Sequence, residues 1–134
     1  MKKTVFIFSL VFGLVLLTGC FNKKNFDSSS AKGTYRQVDA KTAKELMDNE
    51  TNYIILDVRT QEEYDDKHIP GAILIPDYEI TELAEKELTD KNQLILVYCR
   101  SGNRSKTASQ ALVDMGYTNI VEFGGIKSWH YETE

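Results

Sequence analysis

Cys99 is the residue of this sequence best placed to do chemistry. It stands in VYCRSGNRS, Val97 to Ser105, where an apolar run gives way to Cys99, Arg100, Ser101, Gly102, Asn103, Arg104 and Ser105. A cysteine attacks as the thiolate, so what matters is whether its neighbours favour negative charge. Gly102 accepts left-handed backbone angles and Asn103 tolerates them better than most residues. A tight loop built on them can turn its N–H groups inward as an anion-binding nest. A helix starting near Ser105 would add the positive end of its dipole, and Arg100 and Arg104 add fixed charge. These features together describe an activated nucleophile. A free cysteine more often serves as a small buried apolar residue, but that role leaves the arginines and Gly102 without a purpose.

The remaining polar candidates have quieter roles. Asp57 closes the apolar run YIILDV and is followed by Arg59. An unpaired buried charge is costly, so Asp57 is expected to pair with neighbouring N–H groups or with Arg59, as a brace for the site or as part of the substrate's approach. Arg59 and Arg100 are the candidates for steering an anionic substrate. His68 precedes Ile69, Pro70 and Gly71 in a turn, where a hydrogen-bonding role suits it better than that of a base; His130 is read as a surface residue. Two histidines and one free cysteine far apart in sequence do not make a ligand set, so no metal is expected. There is also no Gly-rich phosphate fingerprint after a strand.

The elements that must position Cys99 follow from periodicity. Beyond residue 33, apolar runs alternate with amphipathic segments, the pattern of βα units and a mostly parallel sheet. Thr34 to Val38 reads as a weak strand, and Asp39 as the cap of a helix to about Asp48 with Ala43, Leu46 and Met47 on its inner face. Tyr53 to Val58 is a strand buried on both faces. Thr60 and Glu63 have capping-box spacing and open a short helix. Pro70 and Gly71 make a turn before a short strand, and Ile80, Leu83, Ala84 and Leu88 mark a helix ending near Asp90. Gln93 to Tyr98 is the strongest strand. Ala108, Ala111, Leu112 and Met115 line the next helix, which Gly116 can end in a left-handed cap. Asn119 to Phe123 is the last strand, after which Gly124 and Gly125 turn the chain into a short helix carrying Trp129. Cys99 therefore lies at the carboxyl edge of the sheet, where open α/β folds bind ligands.

The N-terminal segment is a separate matter. Lys2 and Lys3 precede an apolar run from Val5 to Leu17, which has the charge and length of an export signal and is shorter than the ~20 residues of a spanning helix. It stops at LTGC, Leu17 to Cys20, which resembles the lipobox of bacterial lipoproteins. That resemblance implies a signal peptide over residues 1–19, acylation of Cys20, and anchoring by two or three acyl chains. Residues 20–33, rich in lysine, asparagine and serine, would be a flexible tether, and residues 34–134 one domain with a single core. Cleavage removes two lysines and moves the formal charge from −4 to −6. An acidic exported chain is a poor partner for nucleic acid or an anionic lipid surface. With Cys20 lipidated, Cys99 is the one remaining thiol of the two cysteines, in a compartment where cysteines usually pair.

LDVR with the following Glu63, HIPGAI, CRSGNRS and VEFGGIKSW occur in the order and spacing of one known family. From near Thr34 to Trp129, the sequence resembles the rhodanese-like sulfurtransferases. The resemblance implies a rhodanese-like α/β fold, a five-stranded parallel sheet with helices on both faces. It implies that Cys99 carries sulfur as a persulfide, with no cofactor: the thiolate takes sulfane sulfur from a donor such as thiosulfate and yields it to cyanide or a thiol. Only four residues separate Cys99 from Arg104. Related phosphatases and arsenate reductases have five, room for a tetrahedral oxyanion, whereas the shorter loop suits one added sulfur atom.

The expectation is thus a monomeric extracytoplasmic sulfurtransferase with small-molecule substrates. It would be held on the outer face of the cytoplasmic membrane, or in the periplasm or at the outer membrane if there is one. The alternative is a relay or binding module whose persulfide serves an envelope protein; a phosphatase or arsenate reductase fits the loop less well. Because the envelope lacks the cytosolic thiol pool and Cys99 has no resolving partner, a nearby reductant or acceptor protein is expected.

Overall fold

The computed structural model describes residues 33–134; the expected signal peptide, Cys20 and nearly all of the tether lie outside the described residues. The elements run β1 (Arg36–Gln37), α1 (Ala40–Asn49), β2 (Tyr53–Asp57), α2 (Gln61–Asp66), β3 (Ile73–Leu74), α3 (Ile80–Glu87), β4 (Leu94–Cys99), α4 (Asn103–Asp114) and β5 (Ile120–Gly125), with single 3-10 turns at Asp77–Glu79 and Ile126–Ser128. The strands form one five-stranded sheet in the order β1-β5-β4-β2-β3, with every pairing parallel. The expected fold class is the observed one.

β4 shows why the site sits where it does. Its six residues are all buried, as a central strand covered on both faces requires. Successive side chains alternate between faces. Ile95, Val97 and Cys99 join Leu56, Ala84, Ala108 and Leu112 in the core beneath α3 and α4. Leu94, Leu96 and Tyr98 join Ala43, Val121, Phe123 and Trp129 in the core on the α1 side. The sulfur of Cys99 therefore faces the layer that contains α4, whose first residue lies only four positions later.

The caps expected from sequence form as read. Asp39 accepts the Thr42 N–H at 2.8 Å. Thr60 and Glu63 make the reciprocal capping box of α2, the Glu63 N–H reaching Thr60 Oγ1 and the Thr60 N–H reaching Glu63 Oε2. Two elements are shorter than expected, β1 keeping only Arg36–Gln37 and α3 ending at Glu87 instead of near Asp90, and three further details differ around the site. α4 begins at Asn103 rather than near Ser105, because Gly102, at φ 106°, reverses the chain in a single residue. Gly124 and Gly125 belong to β5 instead of forming a turn after it. The last helix is one 3-10 turn, with Trp129 just beyond it packed on Phe123.

The β4–β5 register explains the second difference. Val97 pairs with Glu122, yet Cys99 pairs with Gly125, so two steps along β4 match three along β5. A bulge of this kind bends a strand and re-aims its side chains. Gly124 supplies the positive φ, 86°, that the bulge needs. Gly125 lies so close to the loop that a Cβ there would sit 2.1 Å from the Arg100 carbonyl oxygen.

Candidate active site

The described residues hold one cysteine, and it is buried, with 1% exposure. Burial alone would fit an inert apolar thiol. The groups around the sulfur do not. The Gly102 N–H points at Cys99 Sγ from 3.0 Å, and Ser105 Oγ lies 3.4 Å from it. Burial pushes the thiol's pKa up, but hydrogen bonds from the Ser105 hydroxyl and from the N–H groups of Ser105, Gly102 and Ser101 outweigh it, leaving the thiol below its ordinary value. Main-chain donors converging on one atom are the arrangement that stabilises an anion. Ser105 is the first buried residue of α4, so the helix start lies over the sulfur.

Arg104 does not point into the loop. Its guanidinium forms two parallel hydrogen bonds to Glu63, each 2.8 Å, tying the first turn of α4 to the first turn of α2. The Arg104 guanidinium beside it, with the Thr60 N–H, holds the Glu63 carboxyl at about 2 against the partial burial that raises it. The place of Glu63 in the capping box follows from its spacing to Thr60; its second task of holding Arg104 depends on two helices meeting in space.

Asp57 and Arg59 form a buried pair beside the loop. Asp57 Oδ1 accepts the Arg59 backbone N–H and Nε–H, both at 2.9 Å, and Oδ2 accepts Nη2–H at 2.7 Å. The same Nη2 donates to the Lys67 carbonyl, and the guanidinium lies over the Tyr98 ring, 5.5 Å from its centroid. With its guanidinium committed in this way and only 3% of the residue exposed, Arg59 is a brace. Arg100, by contrast, is exposed. It lines a cleft of about 290 Å³ with Arg59, Lys67, Lys127 and the carboxylates Glu63 and Asp66. Ser101 and Asn103 are also exposed, and Gly102 is buried.

His68 is a structural residue. Its ring stacks on Tyr64 at 3.7 Å, Nδ1 meets the Tyr64 carbonyl at 2.9 Å, and its backbone exchanges hydrogen bonds with Glu134. His130 is exposed.

One residue near the sulfur was missed from sequence. Glu122 of β5 is 2% exposed, accepts the Ser105 hydroxyl at 2.6 Å and accepts the Gly124 N–H at 2.8 Å. A polar residue at a strand position otherwise buried was the available signal; Glu122 pairs with Val97, which faces the same layer as Cys99, and this register sets its carboxylate against Ser105 of α4.

The model of the rhodanese-like domain matches residues 39–132. Thiosulfate sulfurtransferase PspE of Escherichia coli is 42% identical over 72 residues, 54% of this chain and 69% of that protein. Thiosulfate sulfurtransferase GlpE of Coxiella burnetii is 33% identical over 102 residues, 74% of this chain and 92% of that protein. The crystal structure of the Alr3790 protein from Anabaena sp. superimposes with a TM-score of 0.67 at 30% identity, covering 72% of this chain and 90% of that one. A cysteine at the end of the central strand, under main-chain donors and beneath a helix start, thus occurs in a chain that belongs to the rhodanese-like domain family.

Proposed function

We propose that this chain is a sulfurtransferase that carries sulfane sulfur on Cys99, taking it from thiosulfate or a similar anionic donor and delivering it to cyanide or a thiol. The observation that carries this reading is the 3.0 Å approach of the Gly102 N–H to Cys99 Sγ inside the loop that runs from Cys99 to the start of α4. It is supported by the kinship with proteins named as thiosulfate sulfurtransferases.

The chemistry is a double displacement. The Cys99 thiolate attacks the outer sulfur of thiosulfate, a new S–S bond forms, and sulfite leaves with the electron pair of the old one. The persulfide's outer sulfur is then attacked by the acceptor, giving thiocyanate or a new persulfide, and Cys99 departs as thiolate. Main-chain N–H groups aimed at the sulfur stabilise the negative charge in each state. Arg100 and Lys127, on the rim of the cleft, attract the anionic donor, while Asp57, Arg59, Glu63 and Arg104 hold the frame.

The proposal places this reaction outside the cytoplasm, with acylated Cys20 as the membrane anchor and residues 21–33 as the tether. LTGC after a charged and then apolar segment supports it. A reductant or acceptor protein in the same compartment would keep Cys99 in cycle.

Intact mass tests the chemistry. Incubation with thiosulfate should add one sulfur, about 32 Da, to the wild type and none to Cys99→Ser, as a covalent intermediate requires. Cyanide or a thiol should remove it. A Cys99→Ser protein that transfers sulfur at the wild-type rate overturns the mechanism. For location, the full chain should partition into detergent, and Cys20→Ala should leave an unprocessed precursor. Complete protection of the domain from protease added to cells or spheroplasts would reject the extracytoplasmic reading.

A further inference from the structure

Among the described residues, Glu122 is the buried carboxylate near the sulfur that ion pairing does not account for. Asp57 is neutralised by Arg59 and Glu63 by Arg104, whereas Glu122 has no ion pair among the described residues. Its recorded partners are the Ser105 hydroxyl at 2.6 Å and the Gly124 N–H at 2.8 Å, both on Oε1. A buried carboxylate held only by neutral donors is expensive unless it has work to do.

Ser105 links it to the cysteine. Its Oγ lies 3.4 Å from Cys99 Sγ and 2.6 Å from Glu122 Oε1, so the three atoms form a chain. The Gly102 and Gly124 carbonyls are also within reach, at 3.0 and 3.2 Å. A hydroxyl has one proton to give. If Ser105 donates it to the carboxylate, the shortest of these contacts, its oxygen is left to accept from the Cys99 S–H. If Ser105 instead donates to a Cys99 thiolate, its lone pairs can accept a proton from Glu122. These two arrangements differ only by the shift of two protons along the chain.

Resting on the assignment of Cys99 as the sulfur-carrying nucleophile, we infer that Glu122 takes the Cys99 proton through Ser105. The S–H bond breaks as its proton passes to Ser105 Oγ, and the hydroxyl's own proton passes to Glu122 Oε1. Ser105 ends as it began. The sulfur keeps the electron pair and now accepts the Ser105 O–H and the Gly102 N–H. The pair has exchanged its single negative charge, so no second buried charge is created. After the acceptor has taken the outer sulfur and Cys99 leaves as thiolate, the reverse shift re-forms the thiol.

The surroundings permit this. Glu122 also lines a cleft with Asp39, Thr42, Ser101, Gly102 and Lys106. Asp39, held below the usual carboxylate range by the Thr42 N–H, and Lys106 are the charged groups that face this cleft. Toward the sulfur the nearby charge is Arg104, tied to Glu63.

The test compares Glu122→Gln, Ser105→Ala and their double variant with the wild type, with folding verified by circular dichroism. The glutamine carbonyl can still accept from Ser105 and Gly124, but it cannot take a proton. Thiolate absorbance is titrated without any sulfur donor, and persulfide formation from thiosulfate is measured in a single turnover. At pH 7, Glu122→Gln should form persulfide about 10- to 100-fold more slowly, recovering toward the wild-type rate as the pH rises past the ordinary thiol range. Ser105→Ala should lose a similar factor, and the double variant no more than either single one, because both break the same chain. Should one single variant not fold, the other still breaks the chain at a different atom. A Glu122→Gln profile that is unchanged, or moved to lower pH as loss of a neighbouring negative charge alone would move it, overturns the relay. The donor-free titration separates that result from failure of the sulfur chemistry, which would appear as no persulfide on the wild type.

Discussion

Arg104 and Glu63, forty-one positions apart, face each other through two hydrogen bonds of 2.8 Å that join the start of α4 to the start of α2. The pair ties the helix lying over Cys99 to a neighbouring element on the same edge of the sheet. Its geometry is bidentate, the form in which an arginine and a carboxylate fix orientation as well as distance.

This pair makes a pH-dependent contribution to stability. The Arg104 hydrogen bonds hold the folded-state pKa of Glu63 at about 2, against an ordinary value of 4.5. The contribution is therefore complete above pH 4.5 and is lost as the pH falls toward 2. Because both side chains are partly exposed, it amounts to about 1 kcal/mol. Urea unfolding across this range should show a slope in the wild type that Glu63→Gln, which can keep the capping box, lacks. Parallel curves would refute the assignment.

Removing Arg104 should be felt in turnover. Arg104→Ala frees the helix start that carries Ser105, and a loop loosened in this way is expected to lower kcat about tenfold. Arg100→Ala should instead raise KM for thiosulfate several-fold, most at low salt, because exposed charge is screened. Equal and salt-independent effects of the two substitutions would remove the distinction between brace and steering charge.

The Asp57–Arg59 pair should be costly to break and cheap to replace. Asp57→Ala leaves a buried guanidinium without its counter-ion, a loss of about 3–5 kcal/mol. Asp57→Leu combined with Arg59→Met removes both charges and should recover most of that. The midpoints of urea unfolding at constant slope decide it; a double variant no more stable than the single one would show that the pair itself stabilises.

Gly125 should be the least replaceable glycine of the site. A Cβ there would lie 2.1 Å from the Arg100 carbonyl oxygen, which is backbone and cannot swing aside. Gly125→Ala should cost about 1–3 kcal/mol and push the loop away from β5, slowing persulfide formation although every polar group remains. A thermal melt and a sulfur-transfer rate both equal to the wild type would show that the two strands separate freely.

Local signals carried most of the fold. The unbroken apolar run ending in Cys99, the capping box at Thr60, the Asp39 cap and the period of α4 are each written in neighbouring residues, and each is found in place. What escaped were features made by distant segments meeting. The bulge that pairs Cys99 with Gly125 depends on two strands twenty-odd residues apart in sequence. Gly124 and Gly125 read as a turn because glycine pairs usually mark one; here one supplies a positive φ and the other room for a carbonyl. Glu122 was passed over for the same reason, since its approach to Ser105 exists only once β5 has paired with β4 and α4 has packed on that face. Arg59 and Arg100 looked alike in sequence, and only burial separates them.

The groups that hold the Cys99 sulfur are main-chain N–H groups of the loop and the buried Ser105 hydroxyl, whereas the side chains of Arg100, Ser101 and Asn103 are exposed. Main-chain atoms do not change when side chains are exchanged. Exposed loop positions can therefore drift in charge, size and shape, altering which molecules are welcomed, while the ionisation of the thiol stays nearly constant. A scaffold divided in this way lets recognition diversify during evolution without re-inventing its reactive atom.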